Sequence, residues 1–330
     1  MIRRPPRSTL DRSSAASDVY KRQVVSNYAA DDAFPIDDIE QILPGLLEGS
    51  ERVYYSMGVF TDFDQRLLGW MNRLHSRRQS GHAPDELIAL DHLLHEMRLF
   101  KSRREIQAMK RSARIAVGAH RRAMGACRPG MKEYELEAEF RHEFTRHGVE
   151  CSYTPIVAGG QNACILHYTD NQDVLNDGDL ILIDAGCEYE LYASDVTRTF
   201  PVNGRFSEPQ RALYEIVYAA NIAAVQQVRP GNLWNDPHDA AVKEITRGLR
   251  DLGILKGRLP TLIKSQAYRP YFMHKTGHWL GIDVHDVGDY KVADQPRLLE
   301  PGMVMTVEPV SYTHLRAHET EAGLVCRLLL

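Results

Sequence analysis

The run Leu-Ile-Leu-Ile-Asp-Ala-Gly at residues 180–186 decides the organisation of this chain. Four aliphatic residues come first, and the apolar run ends abruptly in the carboxylate of Asp184. A continuous apolar run of this length is typical of a strand that is buried on both faces. Residues 192–200 are rich in Thr, Val and aromatic side chains and also predict a strand. Together the two runs predict a β-hairpin with its turn near residues 189–190.

The predicted hairpin has one aspartate on each strand. With the turn at residues 189–190, Asp184 and Asp195 are expected to lie directly opposite each other, with Cβ atoms about 5 Å apart. Two carboxylates at that separation repel each other at neutral pH unless they share a proton or a cation. The alternative is two ordinary strand-end aspartates, one in a turn and one in a surface salt bridge, because Asp is common at such positions.

Two later segments supply further groups that bind metals. His278 lies in a run with three histidines at residues 274–286, and Glu308 follows the apolar residues of segment 300–309. Two aspartates, one histidine and one glutamate suit Mn²⁺, Fe²⁺, Co²⁺ or Zn²⁺, and the set contains no thiolate of the kind that structural zinc sites use. Carboxylates that bridge favour two metals about 3.5–4 Å apart, an arrangement that serves hydrolysis. The alternatives are a core histidine and a salt-bridged glutamate at a strand end.

Length and composition exclude several classes of protein. The 330 residues suffice for one large domain or two ordinary ones, and the chain is 43% hydrophobic and 25% charged, as in a soluble globular protein. A net charge of −4 argues against a nucleic-acid-binding protein. No apolar run reaches the roughly 18 residues that cross a bilayer, so we expect no membrane insertion. Five cysteines without a Cys-x-x-Cys pair predict reduced thiols in a cytoplasmic protein.

Helices are predicted around the hairpin. Ser102 and Glu105 form a capping box that begins a long helix, which the Pro-Gly at residues 129–130 ends. Its predicted core stripe consists of Ile106, Met109, Ala113, Val117 and His120. Further helices are expected after Glu133, where Leu136, Phe140 and Phe144 share one face, and at residues 208–228 and 236–252. Helices segregated around antiparallel hairpins favour an α+β fold over a doubly wound parallel sheet.

With these residues identified, the chain resembles the pita-bread metallopeptidases, and among them the aminopeptidase P group. The resemblance rests on long motifs in a fixed order at residues 95–102, 164–169, 184–189, 194–204, 274–288 and 300–309. It extends from about residue 24 to Pro309. The resemblance implies an α+β pita-bread fold and a metal-dependent aminopeptidase that releases an N-terminal residue preceding proline.

The resemblance also implies roles for individual residues. The implied ligands of two divalent ions, most often Mn²⁺, are Asp184, Asp195, His278 and Glu308. The histidines implied to contact substrate are His167, His274 and His285. In the family a hydroxide that bridges the metals attacks the carbonyl before proline, Glu308 is the implied proton acceptor, and His274 and His285 stabilise the transition state. Without the resemblance, His274 and His285 are equally residues that orient a ligand, and His167 is a surface turn histidine.

The resemblance leaves two alternative functions open. A prolidase has the same ligands but takes only dipeptides, and some pita-bread proteins have lost their metals and act as binding modules. The expected partners are peptides with proline at the second position, and a homo-oligomer is an option.

The resemblance stops at Pro309, before the fifth ligand of the family, a second bridging glutamate. Because the surroundings of Glu319 and Glu321 do not resemble the strand that carries it, we expect an impaired second metal site and weak or absent activity. Residues 1–23 and 311–330 resemble translated adapter sequence, and we predict that both are non-native tails. Residues 24–97 are then the remnant of an N-terminal domain, and residues 98–310 an incomplete pita-bread catalytic domain.

Overall fold

A computed structural model describes residues 23–76 and 83–311, together with the backbone of strands 313–317 and 320–324. The chain divides into two compact units, Met1–Leu93 and Leu94–Leu330. The predicted tail at residues 1–23 lies outside the described residues except for Gln23. The assignment of the two parts to a domain remnant and a catalytic domain, with a boundary at residue 98, stays a prediction.

The first unit contains a small core around Trp70, which is fully buried and donates a hydrogen bond from Nε1 to Glu40 at 2.6 Å. Its elements are α1 (23–28), a 3₁₀ helix (Ile36–Asp38), α2 (Ile39–Leu47), β1 (Arg52–Tyr55), α3 (Thr61–Ser76), β2 (Glu86–Ala89) and the start of α4 (Leu90–Leu99). Helical spacing at residues 37–47 and 65–74 and a strand-like run at residues 52–59 predict α2, α3 and β1, which have shifted ends in the structure. The parallel pairing of β1 with β2 was not predicted.

Among the described residues, the second unit combines helices with two three-stranded and two two-stranded antiparallel sheets. One three-stranded sheet has the spatial order β4 (Ile156–Gly159), β5 (Leu180–Asp184), β8 (Thr197–Pro201), and the other the order β3 (Glu150–Cys151), β6 (Cys187–Tyr189), β7 (Tyr192–Ala193). The elements after α4 are α5 (Arg103–Ala126), α6 (Glu133–Arg146), β3 (Glu150–Cys151), β4 (Ile156–Gly159), a 3₁₀ helix (Gly160–Cys164), β5 (Leu180–Asp184), β6 (Cys187–Tyr189), β7 (Tyr192–Ala193), β8 (Thr197–Pro201), α7 (Glu208–Val225), α8 (Asp236–Asp251), α9 (Leu259–Lys264), β9 (Lys291–Val292), β10 (Gln295–Pro296), β11 (Thr313–Ala317) and β12 (Thr320–Leu324). The predicted α+β class is therefore confirmed.

Strand β5 lies between two hydrophobic cores. All five of its residues are buried, as the continuous apolar run predicted. Ile181 and Ile183 belong to the core that α5 and α6 cover, and Leu180 belongs to the core formed with α7 and α8. Because successive side chains of a strand point to opposite faces, burial on both sides fixes the strand firmly. Asp184, at its carboxyl end, is thereby held in place by the packing of the whole strand.

Helix α5 begins as predicted and buries a wider face than predicted. Ser102 and Glu105 make both hydrogen bonds of the capping box. Of the predicted stripe, Met109 and His120 are buried, whereas the three others are only half-buried. The other buried residues of the helix are Ala108, Ser112, Ile115, Ala116, Ala119 and Ala123. The face is shifted because α5 packs against α6 and also against β6 and β7.

The predicted register of the hairpin is wrong by two residues. Asp184 pairs with Thr197, and Asp195 does not lie opposite it. The turn lies at Glu190 and Leu191, both with positive φ (51° and 71°), which gives a two-residue turn of the I′ kind. Neither residue is the Gly, Asn or Asp that usually marks such a turn, so the sequence did not reveal where the strands reverse.

Two strands follow Pro309, and the assignment of residues 311–330 to a non-native tail stays a prediction. Strands β11 and β12 form an antiparallel hairpin, and the backbone of β12 lies close to β5 and to the 3₁₀ helix at Gly160–Cys164. The alternation of Thr313, Leu315 and Ala317 with polar residues fits the period of a strand. The side chains of Glu319 and Glu321 lie outside the described residues. Among the described helices, none is long and apolar enough to cross a bilayer.

Candidate metal centre

Two antiparallel segments place His278 next to Glu308. Thr306 N–H donates to His278 O at 2.9 Å, and Glu308 N–H donates to Thr276 O at 2.7 Å. The backbones approach so closely that a Cβ on Gly277 would lie 2.0 Å from Thr306 O. Glycine is therefore required immediately before His278, because any side chain there would force the two segments apart.

Three side chains that bind metals converge at this place. Potential ligand atoms of Asp195, His278 and Glu308 all lie within 4.8 Å of one another. His278 Nε2 lies 3.2 Å from Asp195 Oδ2 and 3.1 Å from Glu308 Oε1. The three residues are 6%, 9% and 3% exposed. Burial of two carboxylates around one imidazole is costly unless a cation or a proton offsets their charge.

The tautomer of His278 is fixed by a backbone contact. Its Nδ1 lies 2.9 Å from the carbonyl oxygen of Trp279, which only accepts, so Nδ1 carries the proton and donates it. Nε2 is then the lone-pair nitrogen. Within the described residues this buried atom makes no hydrogen bond, although two carboxylate oxygens lie near it. A nitrogen lone pair directed at carboxylate oxygens is what a bound cation requires and what a hydrogen-bonded core histidine would avoid.

Asp184 joins the group through Tyr153. The hydroxyl oxygen of Tyr153 lies 2.5 Å from Asp184 Oδ1 and 3.0 Å from Asp195 Oδ1. Asp184 is only 4% exposed. The two aspartates predicted to share a cation are thus brought within reach of one hydroxyl, although they are not paired across the hairpin. Nothing in the spacing of the sequence distinguished Tyr153.

Thr306 holds the Glu308 carboxylate in place. Its hydroxyl accepts from His278 N–H at 3.0 Å and donates to Glu308 Oε1 at 2.9 Å. One buried hydroxyl therefore orients both a carboxylate and the backbone of the histidine segment. Thr306 lies two residues before Glu308 in the sequence. Because alternate residues of an extended segment share a face, this spacing could have indicated that the two side chains lie together.

The donor set fits a divalent cation of the transition series. Two carboxylates and one imidazole nitrogen, with no thiolate among them, match the ligands that Mn²⁺, Fe²⁺, Co²⁺ and Zn²⁺ accept. The arrangement is a buried Asp/His/Glu metal-binding group with a third carboxylate, Asp184, connected through Tyr153. The identity of the metal does not follow from these residues.

Comparison with known proteins places the chain in a family. The sequence profile of metallopeptidase family M24 matches residues 107–327, which include every residue of the metal-binding group. The chain belongs to metallopeptidase family M24. The pita-bread fold class expected from the sequence agrees with this membership.

The relatives of this M24 peptidase chain cleave next to proline, according to their names. Xaa-Pro aminopeptidase of Escherichia coli strain K12 is 48% identical over 284 residues, which cover 86% of this chain and 64% of that protein. Xaa-Pro dipeptidase of Mus musculus is 40% identical over 235 residues, covering 66% of this chain and 48% of that protein. The structure of aminopeptidase PepP of Pseudomonas aeruginosa matches with a TM-score of 0.89 and 52% identity, over 93% of this chain and 71% of that one. The chain thus spans less than two thirds of the curated relatives.

One of the three histidines expected to contact substrate, His285, lies against His278 of the metal-binding group. The ring of exposed His285 lies 4.0 Å from the ring of His278, centroid to centroid. His274 is half-buried, with its ring 5.7 Å from that of Phe272 and its Nδ1 2.6 Å from Lys275 O. Both histidines are on the segment that carries the predicted ligand His278.

His167 lies in a loop organised by a buried glutamate. It is exposed and has a positive φ of 56°. The carboxylate of Glu133, fully buried at the start of α6, accepts four hydrogen bonds around this loop. The donors are Gly159 N (2.8 Å), Asn162 Nδ2 (3.0 Å), Tyr168 Oη (2.7 Å) and Asp173 N (3.0 Å). Burial, with the Glu133 contact second, raises the pKa of Tyr168 to about 12, so its phenol stays a donor.

A further histidine, His238 of α8, was not singled out from the sequence. Its Nδ1 lies 2.8 Å from Thr276 Oγ1, in the segment that leads to His278. Burial lowers the pKa of His238 to about 4, with smaller contributions from Lys275 and His274. The imidazole is therefore neutral at physiological pH and adds no positive charge beside the metal-binding group.

Proposed function

We propose that the chain is a metal-dependent Xaa-Pro aminopeptidase, which removes an N-terminal residue that precedes proline. The observation that carries the proposal is the buried group of Asp195, His278 and Glu308, in which His278 Nε2 makes no hydrogen bond within the described part of the chain. Support comes from the identity of 48% to an Xaa-Pro aminopeptidase. The substrates are peptides with proline at the second position, as the name of that relative indicates.

The proposed ligands are Asp184, Asp195, His278 and Glu308. Divalent cations held there, proposed to be two Mn²⁺ ions, supply Lewis acidity that polarises the scissile carbonyl and acidifies water. Asp184 and Asp195 offer the charge that such cations need, and Tyr153 donates to them. Burial of the group excludes bulk solvent and strengthens these electrostatic interactions.

Glu308 is also proposed as the proton acceptor. Its carboxylate is 3% exposed and is oriented by the Thr306 hydroxyl, so one oxygen has a fixed direction. A carboxylate beside the reacting water takes up its proton and returns it to the leaving amine. His285 and His274 are proposed to donate hydrogen bonds to the substrate and to the charge that develops on the carbonyl oxygen, and His167 to bind substrate.

Weak activity through a missing fifth ligand remains a prediction. The side chains of Glu319 and Glu321 lie outside the described residues. The prediction makes a specific claim about the second metal ion. If the fifth ligand is missing, the protein should bind one Mn²⁺ weakly instead of two tightly, because Asp184 and Asp195 then lack part of the geometry that holds a second ion.

The test is a comparison of substrates and metals. The purified chain is incubated with Ala-Pro-Ala and with Ala-Pro, with Mn²⁺ or with EDTA, and free alanine is measured. Because the fifth ligand is predicted to be missing, we expect slow Mn²⁺-dependent release from the tripeptide and none in EDTA. Glu308→Ala should abolish release, whereas Glu96→Gln, which alters an ion pair outside the metal-binding group, should retain it.

A second candidate, Xaa-Pro dipeptidase, is favoured by the 40% identity to the Mus musculus enzyme of that name. Cleavage of Ala-Pro alone would establish it and refute the aminopeptidase. A protein that binds no Mn²⁺ and cleaves neither peptide would instead support the metal-poor binding module.

A further inference from the structure

A buried ion pair lies next to the histidine of the metal-binding group. Lys101 Nζ lies 2.9 Å from Asp286 Oδ2, and each side chain is only 1% exposed. Arg98 binds the other carboxylate oxygen and also reaches Asp283 Oδ2 at 2.7 Å. A buried ion pair is often no more stable than an apolar pair of similar volume. The presence of this ion pair therefore indicates a role other than stability. The contacts around the pair indicate what that role is.

One backbone carbonyl links Asp286 to His278. Asp286 N–H donates to Trp279 O at 3.0 Å, and His278 Nδ1 donates to the same oxygen at 2.9 Å. The ion-paired carboxylate thus holds Asp286 in place. The backbone N–H of Asp286 in turn holds Trp279 O, which is the acceptor for the His278 ring. Because that acceptor sets the tautomer and the ring orientation, it sets the direction of the Nε2 lone pair.

The same carboxylate also lies against Gly281, whose carbonyl is bonded to the segment that leads to Asp195. A Cβ on Gly281 would lie 2.0 Å from Asp286 Oδ2, so the carboxylate touches the backbone there. Gly281 O in turn accepts from Ala193 N–H at 2.9 Å, two residues before Asp195. The ion pair therefore contacts the segment of His278 directly and is linked to the segment before Asp195 through Gly281.

We infer that the Lys101–Asp286 ion pair positions the imidazole of His278 and the segment before Asp195, and thereby sets the metal affinity of the site. Lys101 and Asp286 are positioning residues and touch neither substrate nor metal. This inference rests on the proposed function only in taking His278 and Asp195 as metal ligands.

A matched control exists in the same region. Arg297 and Glu96 form a bidentate pair with both N–O distances at 2.7 Å, and the Arg297 side chain is 8% exposed. This pair also joins α4 to the later part of the chain. Arg297 N–H and O bond to Tyr290 and Trp234, not to the segments that carry the ligands.

The experiment measures Mn²⁺ binding by isothermal titration calorimetry on the full chain and its variants. Lys101→Met leaves Asp286 paired with Arg98, which protects the fold. We expect Lys101→Met and Asp286→Asn each to weaken Mn²⁺ binding about 10- to 100-fold, the usual effect of losing a residue that orients a ligand. Glu96→Gln should change the affinity less than about twofold, because no ligand depends on it.

The signs separate positioning from simple electrostatics. If the pair acted only through charge, Lys101→Met would tighten Mn²⁺ binding, because it removes a nearby positive charge, and Asp286→Asn would weaken it. The double variant Lys101→Met/Asp286→Leu leaves the net charge unchanged and keeps an apolar pair of similar volume. Positioning predicts the same loss of affinity in the double variant and an altered visible absorption spectrum of bound Co²⁺.

Parent-like affinity in the double variant, tighter binding in Lys101→Met, or an equal loss in Glu96→Gln would each overturn the inference. Peptide cleavage is measured in parallel. A parent chain that binds Mn²⁺ but cleaves no Xaa-Pro peptide refutes the proposed function and leaves the positioning role intact. A parent chain that cleaves Xaa-Pro peptides, together with variants whose Mn²⁺ affinity is unchanged, supports the proposed function and refutes the positioning role.

Discussion

The buried histidine of α5 predicts a specific pH dependence of stability. His120 is 3% exposed, its Nε2 lies 3.2 Å from Ala185 O, and its ring lies edge-on to Phe140 with the centroids 4.8 Å apart. Burial lowers the pKa of His120 to about 4, with a smaller lowering by Arg198 and opposing hydrogen bonds to backbone carbonyls. The folded protein therefore keeps this imidazole neutral where the unfolded chain protonates it.

The direction and size of the effect follow from the two pKa values. The pKa in the folded protein is below the ordinary value of 6.5, so the stabilisation is fully present above pH 6.5. It is lost as the pH falls from 6.5 through about 4, because protons then bind the unfolded chain more strongly. At about 1.4 kcal/mol per pKa unit, the difference amounts to about 3 kcal/mol by pH 4.

The perturbation is His120→Gln, which keeps an N–H donor near the position of Nε2 and does not titrate. Urea unfolding is followed at pH 7, 6, 5 and 4 in EDTA, so that metal binding does not contribute. Between pH 7 and 4, the free energy of unfolding should fall by about 3 kcal/mol more in the parent than in His120→Gln. His238, whose pKa is also lowered to about 4, contributes equally to both proteins and cancels.

His142→Gln is the control, because His142 is exposed on the neighbouring helix α6. It should leave the dependence of stability on pH as in the parent. If His120→Gln and the parent lose equal stability on acidification, or if a direct NMR titration finds His120 protonating near pH 6.5, the reasoning from burial is refuted.

Three further substitutions test the contacts of the site. Tyr153→Phe removes the hydroxyl that reaches both aspartates and should weaken Mn²⁺ binding about tenfold by calorimetry, with unchanged affinity as the contrary result. Glu133→Gln replaces one of the two acceptor oxygens by an NH2 group that faces two of the four donors, and should lower the free energy of unfolding by about 2–3 kcal/mol in urea; parent-like stability would contradict it. Gly277→Ala, whose Cβ would meet Thr306 O at 2.0 Å, should abolish Mn²⁺ binding in a protein that still has its α-helical circular dichroism, and retained binding would show that the segments can separate.

Local signals predicted much of the fold. The apolar run of β5, the capping box at Ser102 and the apolar face of α6 each depend on neighbouring residues alone. The fully buried Leu136 and Phe140 lie where helical spacing placed them. The chain also shows the four predicted ligands in buried positions, and the structure brings three of them together.

Other features depend on contacts between distant residues, and no local pattern encodes them. The turn at residues 190–191 uses two non-glycine residues with positive φ, so the hairpin register was misassigned. The pairing of β1 with β2 joins segments that are separated by α3. Tyr153 and the Lys101–Asp286 pair meet the site only after folding, across separations of up to 185 residues. The chemistry of the side chains was enough to predict the four ligands, whereas the groups that orient them required the structure.

The two halves of the metal-binding group are built on the same principle. Asp184 and Asp195 lie on antiparallel segments, and a Cβ on Gly186 would lie 1.7 Å from Ser194 O. His278 and Glu308 lie on another such pair of segments, which Gly277 allows to approach in the same way. Each half therefore depends on one glycine, because only a residue without Cβ lets two backbones meet so closely beside their ligands. Each half holds its proposed ligands by main-chain hydrogen bonds between two segments, so the backbone sets the geometry of the group before any cation binds.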